Sequence, residues 1–168
     1  MKTAAKICNV VATVMIILVI LVALPMVVPR VIGYEMYGVL SGSMEPTFPV
    51  GSVVYVKPAE PSEIQVQDAI TFKIGNDVVA THRVIEIDEE GQAFVTKGDA
   101  NKDKDLSPIK FDRLIGKAVF CIPYLGSFSQ FIQSQNGMIA GGGVIVIVIA
   151  LWVVADVLNK KSGKKQKE

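Results

Sequence analysis

The chain has 168 residues, of which 51% are hydrophobic and 20% are charged, and its mean hydropathy of +0.44 is high for a soluble domain. Basic and acidic side chains nearly cancel, leaving a formal net charge of +1, so composition gives no reason to expect nucleic-acid binding. Two cysteines are too few for a disulfide framework or a zinc site, and we expect neither a metal nor a cofactor. His82 is the only imidazole available for chemistry.

Two apolar segments lie near the ends of the chain. Residues 7–29 carry no charge and exceed the roughly 20 residues that a helix needs to cross the hydrocarbon core of a bilayer. Residues 138–158 reach the same length, and we predict a transmembrane helix from each segment. The first is predicted to be an uncleaved signal anchor, because its apolar stretch exceeds that of a cleaved signal peptide and no A-x-A site follows it.

The basic residues that flank these segments predict their orientation. Lys2 and Lys6 precede the first segment and several lysines follow the second, so both termini are expected in the cytoplasm. This predicts a multi-pass protein of the cell membrane or the endoplasmic reticulum membrane, with the lipid bilayer as a partner. The expected parts are a cytoplasmic N-terminus 1–6, a span 7–29, an extracytoplasmic domain 30–126, a connector 127–137, a span 138–158 and a basic cytoplasmic tail 159–168.

The part of the chain between the two spans reads as β-structure. Short β-branched runs at residues 52–57, 69–74, 77–87, 92–96 and 115–122 alternate with turn residues, and a hairpin turn is predicted at 75–77. About five strands at this spacing predict a mainly β protein, with a small extracytoplasmic β-barrel or folded sheet between two transmembrane helices. Phe128, Phe131 and Ile132 in the connector fall on one side of a helix that could lie on the membrane surface.

The sequence S-G-S-M-E-P, residues 41–46, stands between the first span and the first predicted strand. Gly42 allows a sharp turn between Ser41 and Ser43, and Pro46 holds Glu45 in an extended conformation, so the corner can present a serine hydroxyl. An ordinary hydroxyl-rich turn is the alternative. A serine becomes an effective nucleophile only with a base within hydrogen-bond reach and donors for the developing oxyanion.

The candidate base and its orienting acid lie in two later segments. His82 falls in the middle of a predicted strand, and the turn at residues 97–105 carries three carboxylates. An aspartate of this turn could hold the imidazole in its useful tautomer and stabilise the imidazolium. A packed core histidine and a solvated charged loop are the alternatives.

Four segments together resemble the ordered motifs of type I signal peptidases. They are V-L-S-G-S-M-E-P-T at 39–47, T-H-R-V at 81–84, T-K-G-D-A-N at 96–101 and G-K-A-V-F-C-I-P-Y-L-G at 116–126. The resemblance covers residues 38–126 and the preceding anchor. It is closest to the histidine-containing branch found in archaea, some Gram-positive bacteria and the endoplasmic reticulum.

The resemblance implies a role for each motif residue. Ser43 matches the nucleophile, and its backbone N–H would join the hydroxyl of Ser41 in the oxyanion hole. His82 stands where the bacterial branch has its general-base lysine. Two aspartates, Asp105 and Asp99, match functional positions of the family and compete for the role of orienting acid; the resemblance favours Asp105, with Asp99 in support.

The implied activity is that of a serine endopeptidase. It would remove N-terminal signal peptides from secreted precursors, after small residues at positions −1 and −3, by way of an acyl-enzyme. Its partners would be these precursors, and accessory membrane subunits and the residues of the specificity pockets are left open. Met44 and nearby apolar residues are expected to help the domain rest on the bilayer.

Two other functions remain open from the sequence. A sortase-like cysteine transpeptidase would use Cys121 with His82 and an arginine, but no arginine follows Cys121 in the chain. A non-enzymatic membrane-anchored binding module would require Ser43, His82 and Asp105 to be scattered in space.

Overall fold

The computed structural model describes residues 2–75 and 78–164, which its contacts divide into two units. One unit contains the residues up to 28 and those from 130 onward, and it is helical. The other contains residues 29–129 and is built on a β-sheet. The last lysines of the predicted basic tail and residues 76 and 77 of the predicted hairpin turn lie outside the described residues.

The helical unit contains two long apolar helices. Helix α1 spans Lys2–Val31, and helix α3 spans Gln135–Lys164. Within them, Thr3–Val31 and Gln135–Lys160 are long and apolar enough to cross a bilayer. Most of their large apolar side chains are exposed in the chain, as expected of helices whose partner is lipid rather than a protein core.

A shorter helix overlaps the predicted connector. Helix α2 spans Leu125–Gln133, and its apolar side chains Phe128, Phe131 and Ile132 are exposed. Ser134 separates α2 from α3, and its hydroxyl accepts a hydrogen bond from the backbone N–H of Gly137 at 3.1 Å. This is the geometry of a serine that caps the beginning of a helix.

The β unit is one curled antiparallel sheet. Among the described residues its strands are β1 (Glu35–Gly38), β2 (Val53–Pro58), β3 (Ala69–Lys73), β4 (Val79–Asp88), β5 (Ala93–Lys97), β6 (Ile109–Lys110) and β7 (Leu114–Ile122). They are ordered β1-β2-β7-β3-β4-β5-β6 across the sheet, and register shifts interrupt three of the ladders. The prediction of a mainly β fold with an apolar helix at each end is confirmed. Strands β1 and β6 were missed because each is too short to show an alternating pattern.

Strand β4 belongs to two hairpins, which together fix the position of its middle residues. Strand β4 pairs with β3, where Ile70 lies opposite His82, and with β5, where Arg83 lies opposite Lys97. The ladder with β3 covers residues 79–83 of β4, and the ladder with β5 begins at Arg83. Residues 79–82 therefore pair on one side only among the described strands, and β1, which pairs with β2 alone, is an edge of the sheet.

Two apolar clusters form the core of the β unit. One is made of Ile64, Ile70, Phe72, Val84 and Phe94, and the other of Met44, Phe48, Val54, Val56, Ala69 and Ala118. Met44 is 3% exposed, so the expectation that it touches the bilayer is wrong. Its side chain is instead held in the second cluster, because packing there removes it from water.

Candidate active site

The S-G-S-M-E-P segment forms a compact turn that presents Ser43. Ser41 is extended, Gly42–Met44 forms one turn of 3-10 helix, and Glu45 returns to an extended conformation, as predicted from the proline that follows it. Met44 is buried in the core, and the backbone N–H of Phe48 donates to its carbonyl at 2.8 Å. Burial of the Met44 side chain in the core thus holds this turn in position.

His82 reaches this turn from strand β4. Its Nε2 lies 3.3 Å from Oγ of Ser43, although the two residues are 39 positions apart in the sequence. The imidazole edge contacts the ring of Phe72, with ring centroids 6.2 Å apart, and the side chain is 15% exposed. The histidine is therefore partly shielded from water while its Nε2 faces the serine.

Asp105 holds the other side of the imidazole. Its Oδ2 lies 2.5 Å from Nδ1 of His82 and accepts a hydrogen bond from the Thr96 hydroxyl at 2.6 Å. The backbone N–H of Asp105 also donates to the carbonyl of Thr96 at 2.9 Å. With a carboxylate at Nδ1, the neutral ring is expected to carry its proton there and to leave Nε2 as the acceptor that faces Ser43.

Asp99 has a different partner. Its carboxylate accepts two hydrogen bonds from the Arg83 guanidinium, at 2.7 and 2.6 Å, and a third from the Thr47 hydroxyl at 2.5 Å. The hydrogen bond from Arg83 lowers the pKa of Asp99, and the one from Thr47 acts in the same direction. Asp99 therefore connects strand β4 to the residues that follow the Ser43 turn, while Asp105 contacts the imidazole.

The loop that carries Asp99 also contacts the backbone of Ser43. The N–H of Ala100 donates to the carbonyl of Ser43 at 2.9 Å. A Cβ atom added at Gly98 would lie 2.6 Å from the same carbonyl oxygen, which is closer than real Cβ contacts allow. Only glycine permits this approach, so the K-G-D sequence serves the position of Ser43 through its backbone as well as through its aspartate.

Ser41 lies beside Ser43. Its Oγ is 3.4 Å from Oγ of Ser43 and both side chains are accessible. A hydroxyl at this place can donate to an oxygen that develops negative charge on a carbonyl bound to Ser43.

A pocket of about 610 Å³ opens beside Ser43 and His82. Its walls come from the segment that contains β1 and from residues 79–82 of β4, which pair on one side only among the described strands, and its floor includes buried core residues. The residues that line it are Tyr37, Gly38, Val39, Leu40, Ser41, Ser43, Met44, Phe48, Val54, Ile74, Val78, Val79, Ala80, Thr81, His82 and Asn101. Most of these side chains are apolar, as is usual for a ligand pocket.

Sequence reasoning did not identify the pocket residues, apart from the motif serines, Met44 and the histidine. The available signal was the extended segment upstream of Ser41, which supplies one wall once it forms an edge strand. Cys121 does not line the pocket: it packs against the cluster that contains Met44, with its Sγ 3.7 Å from the carbonyl oxygen of Thr47. Within the described ranges, no group of three or more His, Cys, Asp or Glu side chains could hold a metal ion.

Comparison with known proteins points in the same direction as the motifs. No protein-family model matches the chain. Signal peptidase I W of Bacillus subtilis is 43% identical to it over 84 residues, which are 48% of this chain and 44% of that protein. The signal peptidase complex catalytic subunit SEC11C of Homo sapiens is 33% identical over 99 residues, or 52% of each chain. A third relative, the putative catalytic subunit SEC11B of Homo sapiens, is 33% identical over 98 residues.

The chain spans about half the length of the curated relatives it matches. These homologues support the resemblance to type I signal peptidases that the four motifs indicate.

The tautomer of His82 tests the geometry of the site directly. Replacing Asp105 by Asn is expected to move the proton of the neutral ring from Nδ1 to Nε2, because the amide can donate to Nδ1 where the carboxylate could only accept. Ring ¹⁵N chemical shifts report this tautomer without overlap, since the chain has one histidine. Asp103→Asn, in the same loop, is the matched control and should leave the tautomer unchanged. An unchanged Nδ1–H ring in Asp105→Asn would contradict the assignment.

The ion pair of Asp99 predicts a pH dependence of stability. The pKa of Asp99 is lowered in the folded chain, so the pair contributes stability above the unfolded-state pKa of about 3.9, and this contribution is lost as pH falls through the lower folded value. Asp99→Asn should therefore lower the unfolding temperature in detergent more at pH 7 than near pH 3. The exposed Asp103→Asn serves as the control. A destabilisation by Asp99→Asn of equal size at both pH values would show that the charge of Asp99 does not contribute.

Proposed function

We propose that this chain is a membrane-anchored serine endopeptidase that removes N-terminal signal peptides from exported precursors. One observation carries the proposal: Oγ of Ser43 lies 3.3 Å from Nε2 of His82, whose Nδ1 is held by Asp105. The signal peptidase homologues support the substrate class.

The proposed reaction begins with transfer of the Ser43 proton to Nε2 of His82 while Oγ attacks the carbonyl carbon of the precursor residue at −1. Asp105 keeps the ring oriented and stabilises the imidazolium that forms. The distance of 3.3 Å is slightly longer than a strong O–H···N bond, and such bonds commonly shorten when substrate is bound.

The negative charge on the tetrahedral oxygen is stabilised by the backbone N–H of Ser43 and the hydroxyl of Ser41. The imidazolium then gives its proton to the amine of the residue at +1, the peptide bond breaks and the signal peptide remains as an ester on Ser43. A water molecule, deprotonated by His82, attacks this ester and releases the signal peptide with a free carboxylate.

The precursor would bind as an extended strand. The pocket lies between the edge strand β1 and residues 79–82 of β4, which pair only with β3 among the described strands. Backbone N–H and C=O groups on both walls can pair with an extended peptide, and the apolar pocket can take alternate side chains. The floor of this pocket includes the buried apolar residues Met44, Phe48 and Val54, and the small residues at −1 and −3 of the precursor would pack against it.

Helices α1 and α3 would anchor the enzyme where its substrate is delivered. Their length and composition suit a bilayer, and the basic residues at both ends of the chain favour cytoplasmic termini. The β unit would then lie on the extracytoplasmic side, where the signal peptide of a translocated precursor emerges from the membrane.

Asp99 would act as a positioning residue in this mechanism. Its hydrogen bonds connect Arg83, next to the base, with Thr47, which follows the nucleophile turn. The neighbouring Ala100 N–H holds the carbonyl of Ser43. Together these contacts set the distance between the nucleophile and the base.

Cleavage of a secretory precursor in lipid vesicles tests the proposal. Ser43→Ala is expected to reduce turnover by several orders of magnitude, since nucleophile and base act as a unit. Ser41→Ala is expected to lower kcat by about 10²–10³-fold, because one oxyanion donor is lost. Cys121→Ser should remain active, which separates serine from cysteine chemistry. Processing by Ser43→Ala at the wild-type rate would refute the nucleophile.

The role of Asp99 is tested by Asp99→Asn in the same assay. A shift of about 1 Å between Ser43 and His82 is expected to lower kcat roughly tenfold to hundredfold, with a smaller change in KM. The ring ¹⁵N shifts should still show the Nδ1–H tautomer, in contrast to Asp105→Asn, because Asp99 does not hold the imidazole. A kcat equal to that of Asp103→Asn would rule out a positioning role.

A further inference from the structure

One residue of the pocket wall, Tyr37, forms a polar pair with Glu35 that the proposed reaction does not use. Tyr37, in β1, lines the pocket, and its hydroxyl donates a hydrogen bond to the carboxylate of Glu35. The two residues are two positions apart on one strand, so their side chains lie on the same face.

The position of Tyr37 is fixed by the core. Its ring packs against the cluster that contains Met44, Phe48 and Val54, and its backbone lies opposite Val54 in the β1–β2 ladder. Burial and the bond to Glu35 raise the pKa of Tyr37 to about 12, so the phenol stays protonated at neutral pH. Since its proton is donated to Glu35, the pair offers only acceptors to a third group: a lone pair of the phenol and the remaining carboxylate lone pairs.

The Tyr37–Glu35 pair is polar, whereas its neighbours along the same segment are apolar. Val39 and Leu40, which follow Tyr37 along the chain, present apolar side chains to the same pocket. An apolar substrate side chain placed against the pair would desolvate its acceptors without replacing the lost hydrogen bonds, at a cost in binding free energy. A side chain that donates a hydrogen bond would avoid this cost, and a cationic one would also be attracted to Glu35.

The distance between Tyr37 and the serine turn indicates which residue of the substrate would contact Tyr37. Tyr37 precedes Ser41 by four residues, a separation of up to about 13 Å at roughly 3.3 Å per residue, and Oγ of Ser41 lies 3.4 Å from Oγ of Ser43. An extended precursor covers the same distance in about four residues. The substrate side chain near Tyr37 therefore lies several positions from the cleaved bond, beyond the small residue next to it.

We propose that Tyr37 and Glu35 form a specificity-determining acceptor site, which selects precursors that carry a hydrogen-bond-donating side chain, hydroxyl or ammonium, about four residues from the cleaved bond. The inference rests on the proposed peptidase function and adds a substrate preference to it. Tyr37 contributes the acceptor for a neutral donor, and Glu35 contributes the negative charge that favours a cation.

The test compares matched precursors in the vesicle assay. At each position within roughly six residues of the cleaved bond, Thr is compared with Val and Lys with Met, pairs that differ mainly in the donor. We expect one position at which the wild type favours Thr over Val by about threefold to tenfold in kcat/KM, the range of one net hydrogen bond, and Lys over Met by more. Tyr37→Phe should bring the Thr/Val ratio towards one, and Glu35→Gln should reduce the Lys/Met ratio.

Both variants conserve shape, so the core under Tyr37 is kept and the ratios are measured within each variant. Tyr124→Phe is the control, since Tyr124 is 80% exposed and does not line the pocket. It should show the wild-type ratios. Ratios near one at every position in the wild type, or ratios unchanged in Tyr37→Phe and Glu35→Gln, would overturn the acceptor site while leaving the peptidase function intact. A wild type that cleaves no precursor would overturn the function and the site together.

Discussion

The structure of the site depends on one line of hydrogen bonds, from Oγ of Ser43 through the imidazole of His82 to the carboxylate of Asp105. These groups come from a turn, a strand and a loop, separated by 39 and 23 positions in the sequence. The β4–β5 hairpin brings the loop of Asp105 alongside His82, and burial of Met44 holds the serine turn on the same side of the sheet. Each part of this fold is needed because a hydrogen bond tolerates an error of only a few tenths of an ångström.

Two carboxylates in one short loop differ in their hydrogen-bond partners. Asp105 contacts the imidazole and the Thr96 hydroxyl, whereas Asp99 is neutralised by the guanidinium of Arg83 and fixed by Thr47. The Asp99 carboxylate is bound to the guanidinium of Arg83. It therefore stabilises the loop and does not replace Asp105 as the partner of the imidazole. Gly98 and Ala100 extend this arrangement to the backbone of Ser43, which explains why a loop rich in charge also needs a glycine.

The same strands that carry the reactive groups also form the pocket. The segment that contains β1 leads directly to the serine turn, and the part of β4 that pairs only with β3 carries the histidine, so a peptide bound between them would reach both groups at once. In the proposed function, recognition and chemistry are therefore coupled through the edge strand β1 and residues 79–82 of β4. The Tyr37–Glu35 pair lies on β1, at a distance where it could discriminate among substrates without disturbing the serine.

The sequence alone determined the two apolar helices, the mainly β class and the residue types of the site, because apolar length, β-branched alternation and the S-G-S-M-E-P motif are local patterns. It also predicted the extended Glu45, which the following proline enforces. Only the tertiary structure decided which aspartate meets His82, because Asp99 and Asp105 lie in one loop and differ only in how that loop folds back. It likewise decided that Met44 is buried rather than exposed, and that Tyr37 lines a pocket: exposure and proximity depend on which strands pair, and strand pairing joins residues that are distant in the chain.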